Sequence, residues 1–287
     1  MTQEYKLGTS FNKMYYNKLL PEHYSSVSIY VRSSDINRTL MSAQSVLLGL
    51  YPMGTGPVIN NKDALPNSFQ PVPIHTVSIK NESLLIPSYN KEEFKKLVKK
   101  YVIPTKQWQE KNKQYQEQYA GWSKATSLAI NDLSDLISLG DNLKIREIHG
   151  ISLPRGITQS DANTIISLGD WASVRVFNSP EIADYGSQEL LRTIVKYLHD
   201  AINKGTSLKY VLFSAHEVTI MSLLTALRSP IDFVPPYASD LKILLLKGDE
   251  DNYRVGLSLN GENIQIPQCA KNGCTLDAFT KVVKVNQ

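Results

Sequence analysis

The spacing of apolar residues changes several times along this chain, and each change marks an element. Residues 3–19, QEYKLGTSFNKMYYNKL, place Leu7, Phe11, Met14 and Tyr15 at helical intervals, so a helix is expected there. VSIYV (Val27 to Val31) is short and β-rich and predicts a strand ending at Arg32. INRTLMSAQSVLLGLY returns to helical spacing and is stopped by Pro52 and Gly54. Residues 53–70 are turn-rich, and PVPIHTVSI after them reads as an extended piece. From about Lys91 to Phe177 the pattern is helical and polar, with helix formers dominant and β-branched runs scarce. SLGD occurs there at Ser138 and again at Ser167, and the likeness extends no further, which reads as coincidence. Beyond Pro180, EIADYGSQELLRTIVKYLHDAI predicts a long helix, LKYVLF a buried strand, and the residues after His216 another helix. LKILLLK predicts a strand, YRVGLSLNGENIQI a hairpin turning at Asn260–Gly261, and CTLDAFTKVV a short last helix.

Strands alternate with helices on both sides of the polar middle. The expected fold is therefore α/β: a mostly parallel sheet flanked by helices, with a helical cap insertion and a C-terminal β-hairpin. The expected division is a core of residues 1–90 and 178–287, split by the cap at residues 91–177.

Composition adds little to this but excludes some classes. The chain has 287 residues, enough for a large packed core, and 42% of them are hydrophobic and 20% charged, as in ordinary globular proteins. Its 31 basic and 27 acidic residues leave a formal charge of +4, a small excess spread along the chain. That leans toward anionic ligands and makes no case for nucleic acid. The longest apolar runs, such as YVLF and ILLL, are far too short to span a bilayer. MTQEYKLGTSFNKMYYNKLL lacks the basic start and apolar run of a secretory signal. Cys269 and Cys274 are the only cysteines. They could close a short disulfide loop, and with no His or Cys neighbours they make no zinc site. A disulfide would imply an oxidising compartment, which conflicts with the missing signal.

Two places carry candidate chemistry. His216 and Glu217 stand just past a strand, at the start of a helix, where backbone N–H groups favour an anion. His216 could donate to a phosphate oxygen, and Glu217 could act as a general acid. The alternative is a core histidine beside a glutamate that serves the first helical turn. Arg32 lies at a strand's C-terminal end, where ligand sites gather in open α/β sheets, and its planar fork suits phosphate. The alternative is a surface arginine or an ion pair with Asp35. Arg38, six residues on, points elsewhere if its helix starts near Asp35, and is read as structural.

IYVRSSDINRTLMSA (Ile29 to Ala43) and FSAHEVT (Phe213 to Thr219) resemble the two marks of the histidine acid phosphatases. The branch is the one that contains the prostatic and lysosomal enzymes. QPVPIHTV (Gln70 to Val77), PPYAS (Pro235 to Ser239), YKLG near the start and the cysteine pair are similar in kind and order, so the resemblance runs almost the whole chain. It implies hydrolysis of small phosphate monoesters through a phosphohistidine. No cofactor or metal takes part, no nucleic acid is bound, and a homodimer is among the expected assemblies. Carried across, Arg32 is a phosphate-binding arginine and His216 the second, phosphate-binding histidine. Glu217 stands where the family usually has the aspartate proton donor, and its extra methylene moves the carboxyl by roughly an ångström. The resemblance also implies a Cys269–Cys274 disulfide.

The family's nucleophile lies in an Arg-His-Gly-x-Arg-x-Pro motif after the first strand, and no Arg-His pair occurs in this chain. Its histidines are His23, His75, His149, His199 and His216. His149, in REIHGISLP, matches a cap segment of the family. His75 reads as structural, and His23 and His199 have no partner that suggests chemistry. YKLG follows the nucleophile motif in the family. The resemblance therefore implies that signal peptide, first strand and nucleophile lie upstream of Met1, that the chain is a truncated form, and that as it stands it is inactive. An inactive phosphate-binding or interaction protein of the same fold is the alternative. A complete form would be lysosomal or secreted. Of two sequons, Asn81 in NES suits glycosylation, and Asn37 in NRT is too enclosed.

Overall fold

A computed structural model describes residues 1–21, 23–202, 206–248, 252–269 and 273–285. The chain divides into two compact units, one of residues 1–89, 186–220 and 236–287, the other of 90–185 and 221–235.

The first unit is mixed α/β. Helix α1 (Thr2–Tyr15) is shorter than its apolar spacing suggests, because Tyr16 turns extended and Asn17 takes a positive φ of 54°. Strand β1 (Ile29–Ser33) leads into helix α2 (Asn37–Leu50). Phe11 of α1, Ile29 and Val31 of β1, and Ala43, Val46, Leu47 and Leu50 of α2 form one buried cluster. A two-residue hairpin, β2 (Val58–Ile59) with β3 (Lys62–Asp63), lies in the turn-rich stretch. The expected extended piece at 71–79 forms no strand, but His75 bridges to Arg32: the Ser33 N–H donates to the His75 carbonyl at 2.9 Å, and the His75 N–H donates to the Val31 carbonyl at 2.9 Å. That segment covers one edge of β1.

On its other edge β1 pairs in parallel with β4 (Tyr210–Ser214), with Arg32 opposite Phe213 and Ser33 opposite Ser214. Among the described residues, β4 has no strand on its far side, and all five of its residues are only half-buried. The C-terminal strands are antiparallel. β5 (Leu241–Lys247) pairs with β6 (Tyr253–Leu259), and β6 continues through Asn260–Gly261 to β7 (Glu262–Asn263) and also pairs with β8 (Cys274–Thr275). The turn residues have φ of 51° and 90°, the left-handed region that Asn and Gly enter at least cost. Helix α9 (Leu276–Val285) buries Phe279 and Val282. Cys269 and Cys274 are disulfide-bonded.

The second unit is helical: α3 (Lys91–Tyr101), α4 (Lys106–Thr126), α5 (Asp135–Ile148) and α6 (Gln159–Phe177). Its two buried tryptophans are anchored by their indole N–H groups, Trp108 donating to Asp132 and Trp122 to Asp161, each at 3.0 Å. α6 begins with a capping box between Thr158 and Asp161. The two SLGD stretches meet where α5 and α6 cross. A Cβ on Gly169 would stand 2.6 Å from the Leu136 carbonyl oxygen, and one on Gly140 3.2 Å from that of Ile165. The repetition that reads as coincidence in the sequence thus has one structural use, letting two backbones approach closely.

The chain passes between the units within two further helices, α7 (Pro180–Asp200) and α8 (Glu217–Ala226). No helix among the described residues is long and apolar enough to cross a membrane.

Candidate active site

The C-terminal ends of β1 and β4 are drawn together by their register and then by side chains. The Ser34 N–H donates to the Ser214 carbonyl at 3.2 Å, and the Ser214 hydroxyl donates to the Thr39 carbonyl at 2.7 Å. The first turn of α2 is thereby tied to the end of β4. Thr39 is buried and its hydroxyl lies 2.8 Å from that of Ser34.

His216 immediately precedes α8. Its backbone N–H donates to the Thr219 hydroxyl at 3.2 Å, while the Thr219 N–H donates to the His216 carbonyl at 3.0 Å. The imidazole Nε2 is 3.0 Å from the hydroxyl of Ser34, and Nδ1 is 3.5 Å from Nη2 of Arg38. A guanidinium can only donate, so Nδ1 is the acceptor and Nε2 carries the proton shared with Ser34. Burial, and after it the positive charge of Arg38, push the His216 pKa down to about 4. Glu217 is the first residue of α8, and its side chain is exposed.

Arg38, read as structural from the sequence, therefore stands beside His216. The physical reason is the start of α2 at Asn37 rather than Asp35. Side chains on a helix lean toward its N-terminus, so an arginine in the first turn reaches back over the strand ends. Arg38 is exposed there. Arg32 is buried, with only 6% of its surface exposed. Its Nη2 donates to a carboxylate oxygen of Glu82 at 2.6 Å, and its Nη1 donates to the Ser33 carbonyl. The partner is Glu82, which is 0% exposed, and not the Asp35 of the sequence-based alternative. Sequence reasoning passed over Ser34 and Glu82 and read Arg38 as structural. Only Arg38 left a signal, as the second arginine of a strand–loop–helix segment.

The ring of His75 stacks on Tyr30 at 4.9 Å, His199 Nε2 meets the Thr280 hydroxyl at 2.9 Å, and His149 ends α5. Among the described residues no three His, Cys, Asp or Glu side chains converge as a metal-ligand set. The ends of β1 and β4 thus gather a guanidinium, an imidazole and two hydroxyls, with the exposed carboxylate of Glu217 next in the chain.

Residues 1–155 match the family model of the histidine phosphatase superfamily, branch 2. The chain is 28% identical to the prostatic acid phosphatase of Homo sapiens, over 99% of this chain and 74% of that one. It is 31% identical to the lysosomal acid phosphatase of Xenopus laevis, over 99% of this chain and 67% of that one. Among solved structures, the phytase of Klebsiella sp ASR1 superposes with a TM-score of 0.67 at 15% identity, over 99% of this chain and 82% of that chain.

Proposed function

This chain belongs to branch 2 of the histidine phosphatase superfamily, and from that premise we propose that it serves the hydrolysis of phosphate monoesters by an acid phosphatase-type, phosphohistidine mechanism. The observation that carries this reading is the placement of Arg38 beside His216, with Glu217 next in the chain, at the C-terminal ends of two parallel strands. Arg38 and His216 hold the phosphoryl oxygens as charge grows on them, a transition-state role. A histidine nitrogen attacks phosphorus, the P–O ester bond breaks, and Glu217 gives its proton to the leaving alcohol. Water then attacks phosphorus, the P–N bond breaks, and Glu217 takes the proton back.

None of the five histidines of this chain stands in an Arg-His-Gly motif, and the reading takes the nucleophile to come from a longer form of the protein. The reading assigns to these residues the half of the site that orients phosphate and donates the proton. Among the described residues β4 has no strand on its far edge, and its half-buried, largely apolar residues support a further strand there. The helical unit is the proposed cap that shapes substrate choice. The Cys269–Cys274 bond and the names of the relatives support a lysosomal or secreted setting.

The test is a generic aryl phosphate assayed at pH about 5, where histidine and carboxyl titrations matter. The chain alone and the chain extended through its upstream coding sequence are compared. Activity in the extended form alone is expected. An extended form that carries Arg-His-Gly and still turns over nothing, while binding inorganic phosphate, selects the inactive phosphate-binding alternative. In an active form, Arg38→Ala should weaken binding of inorganic phosphate by about 10- to 100-fold, the worth of a charge-assisted hydrogen bond. Glu217→Gln should lower turnover far more than phosphate affinity.

A further inference from the structure

Arg32 and Glu82 make a buried contact that leads back to the site. Glu82 accepts from Arg32 through one carboxylate oxygen at 2.6 Å and from the Leu85 backbone N–H through the other at 3.0 Å. Leu85 is itself 0% exposed. Its carbonyl accepts from the Thr219 hydroxyl at 2.7 Å, and that same hydroxyl accepts from the His216 N–H at 3.2 Å. The buried ion pair, the loop 82–85 and the start of α8 are thus one continuous set of hydrogen bonds. It ends on the backbone of His216, while Ser34, two residues after Arg32, holds the ring of the same histidine.

We propose that Glu82 is a positioning residue: locked to Arg32, it sets loop 82–85, which through Leu85 and Thr219 fixes His216 and Glu217 at the mouth of the site. The proposal rests on the reading of His216 as the phosphate partner. The geometry explains why a full charge pair is buried there. A carboxylate that accepts from both a guanidinium and a backbone N–H is held at two points, so it ties strand and loop in one relative position. A neutral side chain would leave the Arg32 charge without its partner. The Thr219 hydroxyl is bound on both sides, donating to Leu85 and accepting from His216, so it cannot rotate freely.

The experiment uses the 287-residue chain, with His216 followed by its imidazole nitrogen resonances and inorganic phosphate binding measured by calorimetry. Thr219→Val keeps the volume and removes the hydroxyl, Thr219→Ser restores it, and Glu82→Gln and Glu82→Asp probe the far end. Thr219→Val is expected to move the His216 titration midpoint and to weaken phosphate binding about 5- to 10-fold, the worth of one hydrogen bond. Thr219→Ser should return both toward wild type. Glu82→Gln should shift both in the same sense as Thr219→Val, with Glu82→Asp between. A folded Thr219→Val chain with unchanged titration and affinity overturns the proposal, and so does a folded Glu82→Gln chain that behaves as wild type. If Glu82→Gln does not fold, the Thr219 pair decides. A wild-type chain that binds no phosphate, but whose His216 titration still answers to Thr219 and Glu82, sinks the functional reading and leaves the positioning role standing. Phosphate binding that is indifferent to both sites does the reverse.

Discussion

At His216, burial and the Arg38 guanidinium act in the same direction, since each disfavours an imidazolium. The folded chain therefore refuses a proton that the unfolded chain accepts between pH about 6.5 and about 4. In that window the unfolded state binds more protons, so this group makes stability fall as pH falls from 6.5 toward 4 and adds no further slope below 4. His216→Asn cannot titrate and keeps a polar group toward Ser34. Its urea midpoint should decline less steeply than wild type across the same window. A slope equal to wild type would place the acid sensitivity elsewhere. Phosphate seated between Arg38 and His216 should raise the imidazole pKa, so binding takes up a proton and tightens as pH falls; calorimetry in buffers of different ionisation enthalpy reads that uptake directly. The place of His216 and Glu217 at a strand-to-helix junction was legible in the sequence. The approach of Arg38 to His216 was not, because it depends on a helix start that Ile36, with no side-chain cap, does not announce. Glu82 left no local sign, for its partner Arg32 is 50 residues away.

Elements whose signals are periodic and punctuated were readable, and elements defined by a partner were not. LKILLLK and the Asn260–Gly261 hairpin lie within the segments that predicted them, and YVLFS runs one residue past its segment, to Ser214. β2, β3 and β8 are two-residue strands that exist only through their pairing, below the length at which alternation can be seen. The α5–α6 crossing is the clearest case, since nothing in a single sequence tells which helices touch. There two effects of a methyl group oppose each other. Replacing a helical glycine by alanine gains about 1 kcal/mol of helix propensity, whereas forcing atoms into a filled contact costs about 1–3 kcal/mol. At Gly169 the new Cβ would meet a carbonyl oxygen at 2.6 Å, a backbone atom that cannot swing aside, so the steric term wins. At Gly140 the nearest atom is 3.2 Å away and the two terms nearly cancel. Thermal unfolding should therefore show Gly169→Ala melting below wild type and Gly140→Ala close to it. Equal melting of the two would mean that the helices slide apart at little cost.

Among the described residues of the α/β unit, two strands lie at sheet edges and carry apolar side chains there. Parallel strands are normally covered on both faces and paired on both edges. β4 pairs on one edge only among the described residues, and its YVLFS is half-buried throughout. β5 is likewise the end strand of its sheet, with Leu244 37% and Leu246 50% exposed. Tyr210, which opens β4, and Lys242, at the start of β5, both lie against the Phe11 ring, so the two edges begin at one place in the unit. An apolar edge with free N–H and C=O groups is a template for another strand. The 287-residue chain should therefore self-associate as its concentration rises, in sedimentation or light scattering. Leu246→Lys, which puts a charge on the exposed face of β5, should reduce that association without lowering the melting temperature, because the side chain already faces solvent. The phosphatase reading demands more: a chain extended by an Arg-His-Gly strand should stay monodisperse at concentrations where the shorter chain associates, and should gain activity together with that change. Activity gained while association persists would mean that the added segment reaches the site without covering these edges.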